Sequence, residues 1–254
     1  MTGIEEQVLA LAETAGVRVI LFLGRTDVGK TTTLLALANA LCERNFRVGV
    51  VDADLGQSTI GPPTTIGLGL LREPVQHLGE AEVVGLYFVG AVTPAGHLLP
   101  TVCGTAALVQ KALRLGVEKL LIDTTGLVSG DIGRVLKQQK IELVAPDLIC
   151  CLQREGECEP ILRAYRHGRR PQIVRLTPQP GCRVRGQEER RAYREQQFKR
   201  YFARAEPREL ALPELNLVGS PLFTGRAMEH RQQQELRATT GVPVLWGEIL
   251  SAQE

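Results

Sequence analysis

Gly24-Arg25-Thr26-Asp27-Val28-Gly29-Lys30-Thr31 follows the apolar run Val17–Leu23 and precedes a helix-like run, Thr32–Glu43. A Gly-x4-Gly-Lys-Thr stretch between a buried strand and a helix is a phosphate loop in the setting that gives it physical meaning. The strand delivers the chain to a tight turn, and two glycines let the backbone approach an anion without a Cβ in the way. The helix that follows presents unpaired amides and the positive end of its dipole. The residues expected around a nucleotide's phosphates are Gly24, Thr26, Asp27, Val28, Gly29, Lys30, Thr31 and Thr32. Lys30 reaches the outer phosphates, and the Thr31 hydroxyl suits a magnesium position.

Apolar runs recur at Val48–Val51, Gly85–Ala91, Lys119–Ile122, Ala145–Leu152 and Gln172–Leu176. Helix-like segments lie between several of them, at Thr32–Glu43, Thr101–Leu115, Asp131–Ile141 and Glu157–His167. Strands alternating with helices predict right-handed crossovers and a largely parallel sheet, with the phosphate loop at the carboxyl end of its strand. The first residues, Met1–Gly16, read as a short amphipathic helix. The polar segment Gly186–Arg204 reads as an exposed helix. The tail shows β-prone runs at Leu215–Val218 and Val242–Trp246, split by a Gln-rich helical stretch. The expectation is one domain over residues 1–254, with a lid at about 183–205 and a C-terminal extension over 206–254.

Composition bounds the chemistry. At 254 residues with 44% hydrophobic content, the chain supports a sizeable core. No apolar run approaches the length of a membrane span, so no membrane partner is expected. Met1–Gly16 has none of the features of a signal or transit peptide. The six cysteines include no Cys-x2-Cys pair, and no histidine falls at zinc-finger spacing. Free thiols and a cytoplasmic location are the expected state. Net charge is +2, yet Arg163–Arg208 holds fourteen Lys/Arg against four Glu. That asymmetry points to a polyanion or a phosphate-clamping element, or to a solvated arginine-rich surface.

Three further segments carry candidate chemistry. Asp52 and Asp54 stand two apart at the end of the second run, so on an extended strand both carboxylates point the same way. A carboxylate there could hold magnesium or accept the proton of an attacking hydroxyl. Leu120-Leu121-Ile122-Asp123 is an apolar strand ending in an acid, the shape of a Walker B element. Thr124, Thr125 and Gly126 then offer hydroxyls and a flexible backbone beside the substrate. Arg190 and Arg194 are four apart and share a helix face, where two guanidinium forks suit a phosphoryl transition state. The four histidines are isolated in sequence and receive no catalytic role, and Trp246 reads as a packing residue.

Taken in order, these motifs resemble the P-loop polynucleotide 5′-hydroxyl kinases of RNA processing. That is the family of the cleavage-factor kinase of messenger-RNA 3′-end formation and the related pre-ribosomal-RNA kinase. The phosphate loop has the family's Thr-Asp-x-Gly-Lys interior, and Asp54-Leu55-Gly56-Gln57 is similar to its Asp-x-Gly-Gln element, with Pro62-Pro63 following. Thr124-Thr125-Gly126 is similar to its Thr-x-Gly clasp, and Arg190 with Arg194 to its Arg-x3-Arg lid, closed by Tyr201-Phe202. The resemblance spans about residues 17–204. It implies a three-layer α/β/α P-loop NTPase fold with a mostly parallel sheet and an arginine-bearing lid helix. It also implies ATP and Mg2+ as cofactors, and transfer of a phosphoryl group to the 5′-hydroxyl end of RNA or DNA.

By that resemblance Lys30, Asp54, Arg190 and Arg194 are catalytic, with Asp54 as general base or metal positioner. Gln57, Thr124, Thr125 and Gly126 meet the acceptor, and Thr31, Asp54 and Asp123 hold the metal. Leu127 departs from the family, whose clasp usually has Trp there, so the stacking face a Trp would give a base is absent. No docking module or obligate protein partner is evident. A nucleotide-driven switch ATPase of the partitioning or assembly type is the alternative, since Asp-x-Asp after the second strand also occurs in that group. A small-metabolite kinase on the same fold is a third reading.

Overall fold

A computed structural model describes residues 3–178, 186–210, 225–244 and 246–249. The chain divides into two compact units, Met1–Ala205 and Glu206–Glu254.

The first unit is built on a seven-stranded sheet. Its strands are β1 (Val19–Gly24), β2 (Val48–Ala53), β3 (Thr65–Leu71), β4 (Glu82–Phe88), β5 (Lys119–Thr124), β6 (Leu148–Leu152) and β7 (Gln172–Leu176). The helices are α1 (Gly3–Glu13), α2 (Lys30–Glu43), α3 (Leu98–Arg114), α4 (Gly130–Val144), α5 (Glu159–Leu162) and α6 (Gln187–Tyr201). Strand order is β4-β3-β2-β5-β1-β6-β7. The pairs β2–β5, β5–β1, β1–β6 and β6–β7 are parallel, while β2–β3 and β3–β4 are antiparallel.

Burial explains why β1 is apolar throughout. It lies between β5 and β6 with all six residues buried, and parallel strands covered on both faces read as continuous apolar runs. Ile20 and Phe22 join the core formed with Val8, Leu34 and Leu41 of α1 and α2. Leu21 and Leu23 face the opposite way, with Ile141 of α4 and Ile161 of α5. α3 covers the β2–β5 region through Leu108, Val109 and Ala112. Helices therefore cover both faces of the sheet, the three-layer arrangement expected for this pattern.

Four expectations are corrected. The sequence showed no strand at Thr65–Leu71; β3 forms there and makes one edge of the sheet antiparallel. The next strand is Glu82–Phe88, earlier than the run Gly85–Ala91 suggested. The helix expected over Glu157–His167 is one turn, Glu159–Leu162, followed by a 3₁₀ turn at Arg163–Tyr165. In the second unit the strand pair is β8 (Arg226–Ala227) with β9 (Glu248–Ile249), flanking α7 (His230–Thr240). The described residues of Val242–Trp246 form no strand and Trp246 is exposed, while Leu215–Val218 lies outside the described residues. Cys150 and Cys151, inside the apolar run Ala145–Leu152, are free and buried as expected there, and Cys158 is also free and buried. Among the described residues, no helix is long and apolar enough to cross a membrane.

Candidate active site

The phosphate loop joins β1 to α2. Gly29 caps α2 with φ +85°, a left-handed conformation that a Cβ resists. Asp27 also takes a left-handed φ, +60°, which Asp tolerates better than most residues. Lys30 is buried, and its Nζ donates to the Arg25 carbonyl at 2.7 Å, so the ammonium folds back over its own loop.

Asp123, at the end of β5, lies directly beside the loop. Its Oδ2 accepts a 2.5 Å hydrogen bond from Thr31 Oγ1, and its Oδ1 accepts from the Thr124 amide at 2.9 Å. Burial pushes its carboxyl above the usual carboxylate range, against the pull of Lys30 and the Thr31 hydroxyl. β2 is the immediate neighbour of β5, with Asp52 registered on Asp123.

Asp52 and Asp54 do not act as a matched pair. The strand ends at Ala53, and the chain turns before Asp54. Asp52 is buried and gathers its own loop: its Oδ2 accepts from the amides of Thr59 (2.6 Å) and Ile60 (3.1 Å) and from the Thr59 hydroxyl (2.9 Å). Burial, reinforced by the Asp123 charge, raises its carboxyl to about 7. Asp54 is half-buried, and its Oδ1 accepts from the amides of Gly56 (3.0 Å) and Gln57 (3.1 Å).

Thr124 and Thr125 are also placed differently from expectation. Both are buried, and their oxygens serve Lys137 of α4, whose Nζ donates to Thr124 Oγ1 (2.8 Å) and the Thr125 carbonyl (2.5 Å). Gly126 then passes so close to Thr26 that a Cβ would collide with that residue's backbone and hydroxyl. Of the three clasp residues, Gly126 packs against the phosphate loop, while Thr124 and Thr125 are engaged by Lys137.

α6 approaches from above. Arg190 Nη2 lies 2.6 Å from Asp27 Oδ2, and the Tyr193 hydroxyl donates to the Ser58 carbonyl at 3.0 Å. The helix is thereby tied to the phosphate loop and to the loop organised by Asp52. Arg191 pairs with Glu195 at 2.9 Å on the solvent side.

These elements enclose a cavity of about 620 Å³. Thr26, Asp27, Gly29, Lys30, Thr31 and Thr32 form one wall, and Asp54, Gln57 and Thr59 another. Tyr193, Gln197 and Arg200 of α6 line it too, as do His77 and Gly79 from the connection between β3 and β4. Gly24 and Val28 belong to the loop without lining the cavity, and Arg194 does not line it either. Arg190 reaches it only through Asp27.

Sequence reasoning therefore missed Lys137, His77, Tyr193 and Arg200. Lys137 had a signal: with Leu136, Lys140, Ile141 and Val144 it falls on the buried face of α4, where lysine is out of place. His77 had none.

Among the described residues, no group of three or more His, Cys, Asp or Glu could hold a metal by itself. The hydroxyl of Thr31 beside the Asp123 carboxylate, with Asp54 lining the same cavity as Thr31, is nevertheless a hard-oxygen set. It fits magnesium, which takes one or two protein oxygens together with nucleotide phosphates and water.

Comparison with known proteins places this geometry. The family described as mRNA cleavage and polyadenylation factor CLP1 P-loop matches residues 24–204. A polyribonucleotide 5′-hydroxyl-kinase of Pyrococcus furiosus is 35% identical over 217 residues, 85% of this chain and 60% of that protein. One from Methanocaldococcus jannaschii is 31% identical over 228 residues, covering 90% of this chain and 62% of its own length. The chain thus spans less than two thirds of the curated relatives it matches. A solved complex of Clp1p with Pcf11p superimposes with a TM-score of 0.65 at 13% identity, over 79% of this chain and 53% of that one, a likeness of fold. With the family match extending from the phosphate loop through the lid helix, the chain belongs to the CLP1 P-loop family.

Proposed function

We propose that this chain is an ATP-dependent polynucleotide kinase that moves the γ-phosphoryl group of ATP to the 5′-hydroxyl end of RNA, with DNA as a second acceptor. One observation supports it above the rest: the phosphate loop and Asp54 line the same cavity beneath a helix tied to both their loops. The family's kinase-named relatives favour this reading over a nucleotide-driven switch.

In this account Lys30 leaves the Arg25 carbonyl to hold the β- and γ-phosphates. The acceptor's 5′ oxygen attacks phosphorus as the bond to the ADP oxygen breaks, and its proton passes to Asp54 Oδ2. Gln57 lies beside that hydroxyl. Arg190 trades Asp27 for the transferring phosphoryl group, where a guanidinium fork stabilises spread charge. Magnesium, held by Thr31 with Asp123 behind it, would supply charge neutralisation on the phosphate oxygens. Positioning and electrostatics carry most of the rate, because the loose transition state needs little covalent help. Arg194 and Arg200 supply positive charge at the lid. The arginine-rich stretch around them would hold the polynucleotide backbone. Residues 1–205 would form the catalytic core, with 206–254 an extension.

The discriminating experiment measures ATP turnover with 5′-hydroxyl RNA, the same RNA bearing a 5′-phosphate, and no acceptor. The kinase reading expects turnover to depend on the free hydroxyl. Equal turnover under all three conditions would refute it.

A further inference from the structure

One wall of the cavity is unused by this chemistry. His77 and Gly79 line it, and both come from the connection between β3 and β4. That connection is firmly held. The Asn39 side chain of α2 brackets Val75, donating to its carbonyl at 2.8 Å and accepting from its amide at 3.0 Å. Glu80 Oε2 accepts from the Gln76 amide at 3.0 Å, and the Glu80 amide donates to the His77 carbonyl at 3.0 Å.

The imidazole itself is oriented. Glu80 Oε1 lies 3.2 Å from His77 Nε2. Gly79 sits at the other ring nitrogen, where an added Cβ would come within 3.1 Å of Nδ1 and 3.4 Å of the Thr59 carbonyl. With Nε2 engaged by Glu80 and the residue lining the cavity, the ring offers a ligand an aromatic surface. The same turn abuts Thr59, which shares its loop and the cavity with Asp54 and Gln57, and that proximity is what points His77 toward the acceptor rather than the donor. An acceptor that presents its terminal hydroxyl to Asp54 must place its first base within about one nucleotide's length of that point. Arg200, also lining the cavity from α6, provides a cation for the phosphodiester that follows.

Resting on the kinase reading, we propose that His77 is an acceptor-binding residue on which the base of the 5′-terminal nucleotide stacks, while Arg200 takes the next phosphodiester. Stacking on a ring is tolerant of base identity, so this contact would bind the end of a strand without reading its sequence.

The test compares wild type, His77→Ala and His77→Phe on a short 5′-hydroxyl oligoribonucleotide and on the same oligomer with an abasic first nucleotide. His77 is 59% exposed, so neither substitution disturbs the core. His77→Ala should raise KM for the normal oligomer at least about fivefold, the low end for one lost stack, with KM for ATP within about twofold. His77→Phe should keep the oligomer KM within about twofold of wild type, because it keeps a ring face. The abasic oligomer should weaken wild type and leave His77→Ala no worse.

The proposal is overturned by an unchanged oligomer KM in His77→Ala, by a comparable shift in KM for ATP, by a Phe variant as weak as Ala, or by additive losses with the abasic end. Oligomer binding is read in parallel by fluorescence anisotropy. A wild-type protein that binds but transfers nothing would sink the kinase reading and leave the His77 comparison readable. One that neither binds nor transfers overturns both.

Discussion

Arg190 Nη2 lies 2.6 Å from the carboxylate of Asp27, a contact across 163 positions of sequence that closes the lid helix onto the phosphate loop. Asp27 is 11% exposed at its side chain and Arg190 29%, so this pair is better shielded than an ordinary surface ion pair. It also holds the guanidinium against Asp27, which itself lines the cavity.

Arg190→Ala should therefore lower kcat by about 10²–10³-fold, the range for loss of a charge-stabilising finger. Arg194→Ala, whose guanidinium has no contact with the phosphate loop like that of Arg190 with Asp27, should cost less than about tenfold. Steady-state turnover of both variants checks the ranking. The reverse order would make Arg194 the transferring guanidinium.

The buried lysines of α4 should behave oppositely. Lys137 satisfies Thr124 and Thr125, so Lys137→Met leaves a buried carbonyl unpaired and should destabilise by about 1–3 kcal/mol. Lys140 is fully buried and its Nζ has no hydrogen-bond partner. Burial pulls its ammonium down to about 8 from 10.5, so the folded chain binds that proton more weakly than the unfolded chain. The resulting cost is complete below pH 8 and fades as pH rises towards 10.5. Lys140→Met should thus stabilise the protein by about 1–3 kcal/mol at pH 7, with the gain shrinking at alkaline pH. Urea midpoints at both pH values report it. Destabilisation by Lys140→Met at pH 7 would show that the amine is paired.

Lys30→Ala should abolish turnover and weaken ATP binding by at least about tenfold, because Lys30 lines the cavity while Arg25, the loop's other cation, does not. Fluorescent-nucleotide titration and turnover together test this. Retained turnover would place the donor elsewhere.

Oligonucleotide affinity should fall steeply with salt, by at least about tenfold between 50 and 200 mM, if the arginine-rich stretch from Arg163 to Arg208 tracks several phosphates. A flat salt dependence would assign those arginines to surface solvation.

Much of this was legible in the chain. β1, the phosphate loop and α2 follow from an apolar run meeting Gly-x4-Gly-Lys-Thr, since burial on both faces and anion binding each leave a strong local signal. β3 was hidden by Gly67 and Gly69, which weaken strand propensity. Their reason is tertiary: Ile60 folds over the strand, and a Cβ at Gly67 would collide with the Ile60 carbonyl. The place of Asp54 beside the phosphate loop, lining the same cavity, was legible because its motif is local. The divergence of Asp52 was not, because it depends on the loop folding back to give Asp52 the amides of Thr59 and Ile60. Nor could His77 be foreseen, since the connection that carries it meets the cavity only through long-range packing.

The most direct measurement is the mass of a 5′-hydroxyl oligoribonucleotide after incubation with the protein, ATP and magnesium, with Asp54→Asn in parallel. The account predicts one added phosphate at the 5′ end with wild type, and none with Asp54→Asn although that variant still binds ATP. Consumption of ATP with only free phosphate released and the oligomer unchanged, or full transfer by Asp54→Asn, would contradict it.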